Sequence, residues 1–210
     1  NAVDVTNFIT MELGNPCHVF DRTKLAGQKL VIRHAEDGEK LRTLDDKQRV
    51  LKATDLVVAD AERAQSLAGV IGGGDSEVDA STTEIVFEMA TWDPVTVRTQ
   101  ARRLAIVTDA GYRFQRGIDP RTIEDSARRA VALLCELTGG TLAEGVLSEG
   151  APLPESAFVT LRPSRAAAIM GIGVPAGEII AMLRGLEIGV EQTGEDELRC
   201  EIPPHRSRDL

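Results

Sequence analysis

Aromatic side chains are scarce in this chain: one Trp, one Tyr and five Phe among 210 residues. Its core must therefore be aliphatic, and a hydrophobic fraction of 42% supplies enough Val, Leu, Ile and Ala to build one. Cysteine is scarce as well. Cys17, Cys135 and Cys200 are an odd, scattered set without a Cys-x-x-Cys pair. That points away from a zinc knuckle or a disulfide framework and suits a reducing compartment. No apolar run approaches the ~18 residues of a membrane span, and no signal-peptide pattern is visible. A surplus of positive charge is also missing. With 33 acidic and 24 basic side chains the formal charge is −9. This argues against a general nucleic-acid coat but leaves RNA contact through a local patch open. The chain opens on Asn1 and closes on "HRSRDL" without a closing element, so it reads as an excised piece of a longer protein.

What is present falls into two parts. The stretch "GGTLAEGVLSEGAPLPES", residues 139–156, is rich in Gly, Pro and small residues and reads as a connection. It divides a first domain over residues 1–150 from an incomplete second one over 151–210. The first is expected to be α+β. "KLVIRHA", "DLVVAD" and "EIVFEMA" read as short strands, with "EDGE" and "LDDK" as tight turns. A helix is predicted over Arg121 to Thr138, capped by Asp119, opened by Pro120 and ended by Gly139. Its apolar stripe runs through Ile123, Ala127, Ala130, Val131, Leu134 and Leu137. A second helix is predicted over Val95 to Leu104. In the second domain, "RPSRAAAIMG" and "VPAGEIIAMLRG" read as helices and the following segment as a hairpin turning near Gly194. Two short helices and a hairpin suggest a winged-helix-like, or helix-turn-helix-like, module.

Four constellations carry possible chemistry. "LAGVIGGGDSEV" has three successive glycines, Gly72 to Gly74, but lacks the Lys-Ser/Thr pair of a phosphate loop and places Asp75 where phosphate would be repelled. It is either a turn with positive φ or a wall where something approaches bare backbone. His18, in "GNPCHVFD", is a structural residue after a proline turn or a group that orients a water or a ribose. Glu88 interrupts "EIVFEMATW". Strict alternation puts it on the same face as Val86, so it is a solvent-facing strand end or a carboxylate inside a pocket. "RRLAIVTDAGYRFQRGIDP" gathers Arg102, Arg103, Arg113 and Arg116 near Asp109 and Asp119. These form either a bracing ion-pair network or a contact to RNA phosphates.

"NAVDVTNFITMELGNPCHVFD", "LAGVIGGGDSEV", "EIVFEMATWDP" and "ARRLAIVTDAGYRFQRGIDP", in that order and spacing, resemble the central region of the bacterial phenylalanyl-tRNA synthetase beta subunit. "LRPSRAAAIMGI" and "EIPPHRSRDL" resemble its next module. The sequence departs from the family at Gln115, where Glu is usual, and at Gly111, where Ser is common.

The resemblance implies a mixed-sheet editing domain that hydrolyses tyrosine mischarged onto phenylalanine tRNA. The synthetic site lies on a separate alpha subunit. Phenylalanine tRNA and that alpha subunit, in a heterotetramer, are the implied partners. ATP and Mg2+ are expected for the complete enzyme and neither for this piece; no metal site and no membrane are expected, and the location is cytoplasmic. The family pocket falls on Asn7, His18, Gly72, Glu88, Thr108 and Ala110. In this reading Glu88 accepts the tyrosine hydroxyl, Gly72 and Ala110 keep room beside the ring, and His18, Thr108 and Asn7 place the terminal adenosine or the attacking water. A scaffold that joins subunits and positions tRNA is the non-catalytic alternative.

Overall fold

A computed structural model describes residues 1–207 and 209–210. It divides into two compact units, Asn1–Glu149 and Gly150–Leu210.

The first unit begins with helix α1, Ala2–Leu13, which the sequence reading did not anticipate. The Asn1 side chain accepts from the Asp4 N–H at 2.9 Å while Asp4 accepts from the Asn1 amine at 3.0 Å. This reciprocal cap satisfies amides that have no partner inside the helix. Strand β1, Cys17–Asp21, pairs antiparallel with strand β8, Ile85–Met89. Between them in sequence lie β2 (Val31–His34), β3 (Lys40–Arg42), β4 (Gln48–Val50), β5 (Leu56–Ala59), β6 (Ala64–Leu67) and β7 (Ile71–Gly72). Strands β2, β5, β6 and β7 form a four-stranded sheet in the order β2-β5-β6-β7, and β3 with β4 forms a hairpin. The architecture is α+β as expected. Every described pairing is antiparallel, so the sheets are mixed with helices but not mixed in strand direction.

Helix α2, Pro94–Arg103, starts at Asp93, whose carboxylate accepts the Thr96 N–H at 2.7 Å. The buried Gln100 on α2 fastens it to the sheet. Its Oε1 accepts the Leu56 N–H at 2.9 Å and its Nε2 donates to the Ala68 carbonyl at 2.7 Å. Helix α3, Asp109–Phe114, is a single short element that the sequence reading did not assign. Helix α4, Ile123–Thr138, follows a tight 3-10 turn at Pro120–Thr122 and ends at Gly139. Its buried face is Ser126, Ala130 and Leu134, while Leu137 is exposed, so the predicted stripe is rotated. The reason is polar: the buried Asn15 Nδ2 donates to Ser126 Oγ at 2.6 Å and to Thr122 Oγ1 at 3.0 Å, which turns Ser126 inward.

Three apolar clusters hold this unit together. One gathers Val57, Leu67, Val70, Val97, Ile106 and Phe114 among others. A second joins α1 and α4 through Val5, Ile9, Ala130 and Leu134 against Cys17, Phe87 and Met89. A third surrounds Phe20 with Leu25, Val58, Ala68 and Val86, and Trp92 packs against both the first and the third.

The second unit holds β9 (Ala157–Leu161), α5 (Pro163–Met170), α6 (Ala176–Gly185), β10 (Gly189–Gly194) and β11 (Glu197–Ile202). The two helices and the hairpin lie where the sequence put them. Strand β9 is an addition: it pairs with β11, giving the order β10-β11-β9. Ile179, Ile188, Leu198 and Cys200 form its core. No described helix is long and apolar enough to cross a membrane.

Candidate functional site

The ribbon of β1 and β8 sets His18 directly opposite Glu88. Residues opposed in an antiparallel pair project to the same face, and successive residues alternate. One face of the ribbon therefore carries Cys17, Phe87 and Met89 to the cluster under α1 and α4. The other carries His18, Phe20, Val86 and Glu88. Phe20 and Val86 sit in an apolar cluster and Glu88 Oε2 is buried, so Glu88 lies on the half-buried face it shares with Val86 and is not a solvent-facing strand end. The His18 and Phe20 rings meet edge to face, with centroids 4.5 Å apart.

The glycine stretch supplies the opposing wall. Gly69 has φ +68 in the turn joining β6 to β7, a conformation that L side chains rarely adopt. A Cβ there would also stand 2.6 Å from Cδ1 of Trp92. Gly72 is a close approach of another kind. A Cβ on it would lie 2.5 Å from His18 Cε1, 2.8 Å from His18 Nε2 and 3.0 Å from Leu44 Cδ1. The imidazole thus occupies the space that the missing side chain leaves. The positive-φ turn thus falls at Gly69, whereas none of Gly72 to Gly74 has positive φ and Gly72 forms the bare-backbone wall. Asp75, just past it, is held by Arg42 at 3.1 Å and by Arg63 at 3.4 Å.

Thr108 caps α3 and anchors it to that wall. Its hydroxyl accepts the Gly111 N–H at 3.0 Å and donates to the Val70 carbonyl in the β6–β7 turn at 2.7 Å. The hydroxyl proton is therefore engaged, and one acceptor lone pair remains. Ala110 packs against the cluster containing Val70 and Ile71. His18, Glu88, Gly72, Thr108 and Ala110 are thus linked by direct contacts or through the same short turn. Asn7 is not joined to them by any described contact. It is exposed on α1, one turn before Met11, whose sulfur accepts from Arg113 Nη2 of α3 at 3.3 Å.

Electrostatics separates this place from the rest of the unit. Burial pushes the Glu88 carboxyl up to about 7 and the His18 imidazole down to about 4. Near neutral pH His18 is uncharged and Glu88 is divided between its acid and its anion. The buried atoms His18 Nε2, Glu88 Oε2 and Trp92 Nε1 have no protein hydrogen-bond partner, and they account for three of the five such side-chain atoms among the described residues. Native proteins pair almost all buried polar atoms, so three orphans around one wall make it the candidate site of this unit. Cys17 lies on the opposite face. Burial, then the Glu88 charge, pushes its thiol up to about 12, so it makes no nucleophilic dyad with His18. Sequence reasoning passed over Trp92, Leu44 and Phe20, which shape the site; Trp92 alone carried a signal, as the single Trp four residues past Glu88.

The B3/4 domain family matches residues 1–139. The chain belongs to that family. A tRNA synthetase B5 domain matches residues 159–210, so a B3/4 domain is followed by a B5 domain. A set of curated relatives matches nearly the whole chain. The phenylalanine-tRNA ligase beta subunit of Oleidesulfovibrio alaskensis is 41% identical over 205 residues, covering 97% of this chain and 26% of the relative. That of Nocardia farcinica is 44% identical over 200 residues, covering 93% of this chain and 23% of the relative. The chain thus spans about a quarter of the length of these relatives. A crystal structure of an N-terminal fragment of that subunit from Pyrococcus horikoshii aligns with all of this chain and 61% of that chain, at 13% identity and a TM-score of 0.47.

Proposed function

We propose that the B3/4 domain hydrolyses the ester of tyrosine mischarged onto phenylalanine tRNA, within an enzyme that charges that tRNA with phenylalanine. The observation that carries this reading is the buried, unpartnered Glu88 Oε2, on a ribbon face it shares with His18, Phe20 and Val86. An apolar pocket that accepts phenylalanine rejects the same ring bearing a hydroxyl only weakly, by about a hundredfold. A site that hydrogen-bonds the hydroxyl rejects the ligand lacking it by roughly ten-thousandfold, because its polar group is then left unpaired. Glu88 supplies that acceptor. Binding a phenol favours its ionised form, since the phenol donates and the carboxylate accepts.

His18 is a poor proton acceptor at neutral pH with a value near 4, so its part is to orient. Its free Nε2 receives a hydrogen from the attacking water or from the ribose. The remaining lone pair of Thr108 does the same from the side of α3. Asn7, exposed on α1, is the third residue assigned to placing the adenosine or the water. An aminoacyl ester is already activated, so positioning a water suffices without a covalent nucleophile. The further parts of this reading belong to the whole enzyme: ATP and Mg2+ at a synthetic site on an alpha subunit, a heterotetramer, and a cytoplasmic location.

The experiment is deacylation of tyrosyl-tRNA by the complete synthetase. Glu88→Ala is expected to erase the preference for tyrosyl over phenylalanyl esters, and Gly72→Trp to abolish hydrolysis by filling the wall. Wild-type hydrolysis in both variants would leave the domain a subunit-joining and tRNA-positioning scaffold.

A further inference from the structure

Residues 98–121 contain six arginines and two aspartates, with no lysine or glutamate, in a chain whose formal charge is −9. The structure gives three of these six arginines carboxylate partners. Arg103 pairs with the buried Asp55, Arg121 with Asp119 at 2.6 Å, and Arg113 with Asp109 at 3.2 Å. Arg116 is different. It is exposed, its guanidinium carbon stands 3.4 Å from the centroid of the Tyr112 ring, and its Nη1 donates to the Tyr112 carbonyl at 2.8 Å. Tyr112 is itself 56% exposed and is the only tyrosine in the chain. An aromatic ring with a cation held over it, both facing solvent, contributes nothing to the apolar core beneath. The buried residues of α3 are Gly111 and Phe114.

Position gives the pair its meaning. The Tyr112 N–H donates to the Thr108 carbonyl at 2.9 Å, so the pair lies one helical turn, about 5.4 Å of rise, beyond Thr108. In an aminoacylated RNA the ester sits on the ribose of the terminal nucleotide, so the base of that nucleotide lies within one sugar's reach of the ester. Unpaired bases at RNA ends are held by stacking on aromatic rings and arginine planes, and the phosphates that follow them are attracted by clustered arginines.

We infer that Tyr112 with Arg116 forms the stacking platform for the terminal base of the RNA whose ester is presented to His18, Thr108 and Glu88. This rests on the editing reading. Both residues are positioning residues.

The test uses the complete synthetase and a tRNA whose terminal adenine is replaced by a fluorescent aminopurine that dims when stacked. Wild-type and Tyr112→Phe enzymes are expected to quench it, and Tyr112→Ala to leave it bright. In tyrosyl-tRNA hydrolysis, Tyr112→Ala should raise KM roughly five- to 150-fold, with kcat unchanged and Tyr112→Phe near wild type. Hydrolysis of tyrosine ethyl ester, which lacks the base, should not change. Quenching that survives in Tyr112→Ala overturns the platform. So does a Tyr112→Phe enzyme as weak as Tyr112→Ala, or an equal loss on the ethyl ester. Quenching needs no hydrolysis, so the two readings fail separately. An enzyme that stacks the base but leaves tyrosyl-tRNA intact keeps the platform and removes the editing reading. One whose hydrolysis depends on Glu88 but ignores Tyr112 does the reverse.

Discussion

Glu88 and His18 face each other with their ionisation displaced in opposite directions, and the consequences for stability have opposite signs. The Glu88 carboxyl is raised, so between about pH 4.5 and 7 the native state holds a proton that the unfolded chain has released. Stability therefore falls as pH rises through that window. His18 is lowered, so between about pH 6.5 and 4 the unfolded chain takes up a proton that the native state refuses, and stability falls as pH drops. The two slopes oppose each other between pH 4.5 and 6.5. Glu88→Gln isolates one of them. At pH 8 it is expected to be more stable than wild type by ~3 kcal/mol, with the difference gone by about pH 4.5. Urea denaturation followed by circular dichroism at several pH values measures this; a constant difference across the range would show that Glu88 is not desolvated. At the same scale, Gly72→Ala should displace the imidazole and reduce tyrosyl-tRNA hydrolysis while the unfolding midpoint moves little, because the collisions are with the side chains of His18 and Leu44 and not with the sheet backbone. Sequence alternation alone placed Glu88 beside Val86. It did not reveal that His18 stands opposite, since that fact depends on pairing two strands 70 residues apart. Nor did it reveal that the space over Gly72 belongs to an imidazole.

Among the elements, those with strong local punctuation were legible. Helix α4 announces itself through Asp119, Pro120 and Gly139, and α6 through Pro175 near its start. The illegible ones lack such signals. Helix α3 has six residues, too few to display a helical period. Strand β6, Ala-Gln-Ser-Leu, is fully buried yet half polar, because Gln65 is held by Asp60 at 2.6 Å and not by apolar packing. Strand β1 carries His and Asp among its five residues and follows a proline. Helix α1 buries a threonine among its core positions, which blurs its stripe. The join between α3 and the β6–β7 turn is made by one hydroxyl, and this yields an element-scale prediction. Thr108→Ala should cost about 1–2 kcal/mol by removing the cap and the bond to Val70 together, whereas Thr108→Ser should restore most of it. Chemical denaturation compares the three proteins; equal stability of the Ala and Ser variants would remove the hydroxyl from the account.

For the whole molecule, residues 139–156 form no helix or strand and every one of them is exposed. The sequence marked this connection by composition alone, and its lack of apolar periodicity is why. It contains Glu144, Glu149 and Glu155 but no Lys or Arg. A glutamate-specific protease is therefore expected to cut first within it and to release the two units, while trypsin spares it. Mass spectrometry of the early fragments identifies the cuts; first cleavage inside either unit would mean that a core segment opens more readily than the connection. The two units also differ in optical properties. The one tryptophan of the chain is Trp92, lying against Gly69 and a few residues from Glu88, and the second unit has none. Intrinsic tryptophan emission from this chain is thus the signal of a single place. It reports the polarity beside the glycine wall, and any shift in its wavelength on adding a ligand locates the binding event without a label.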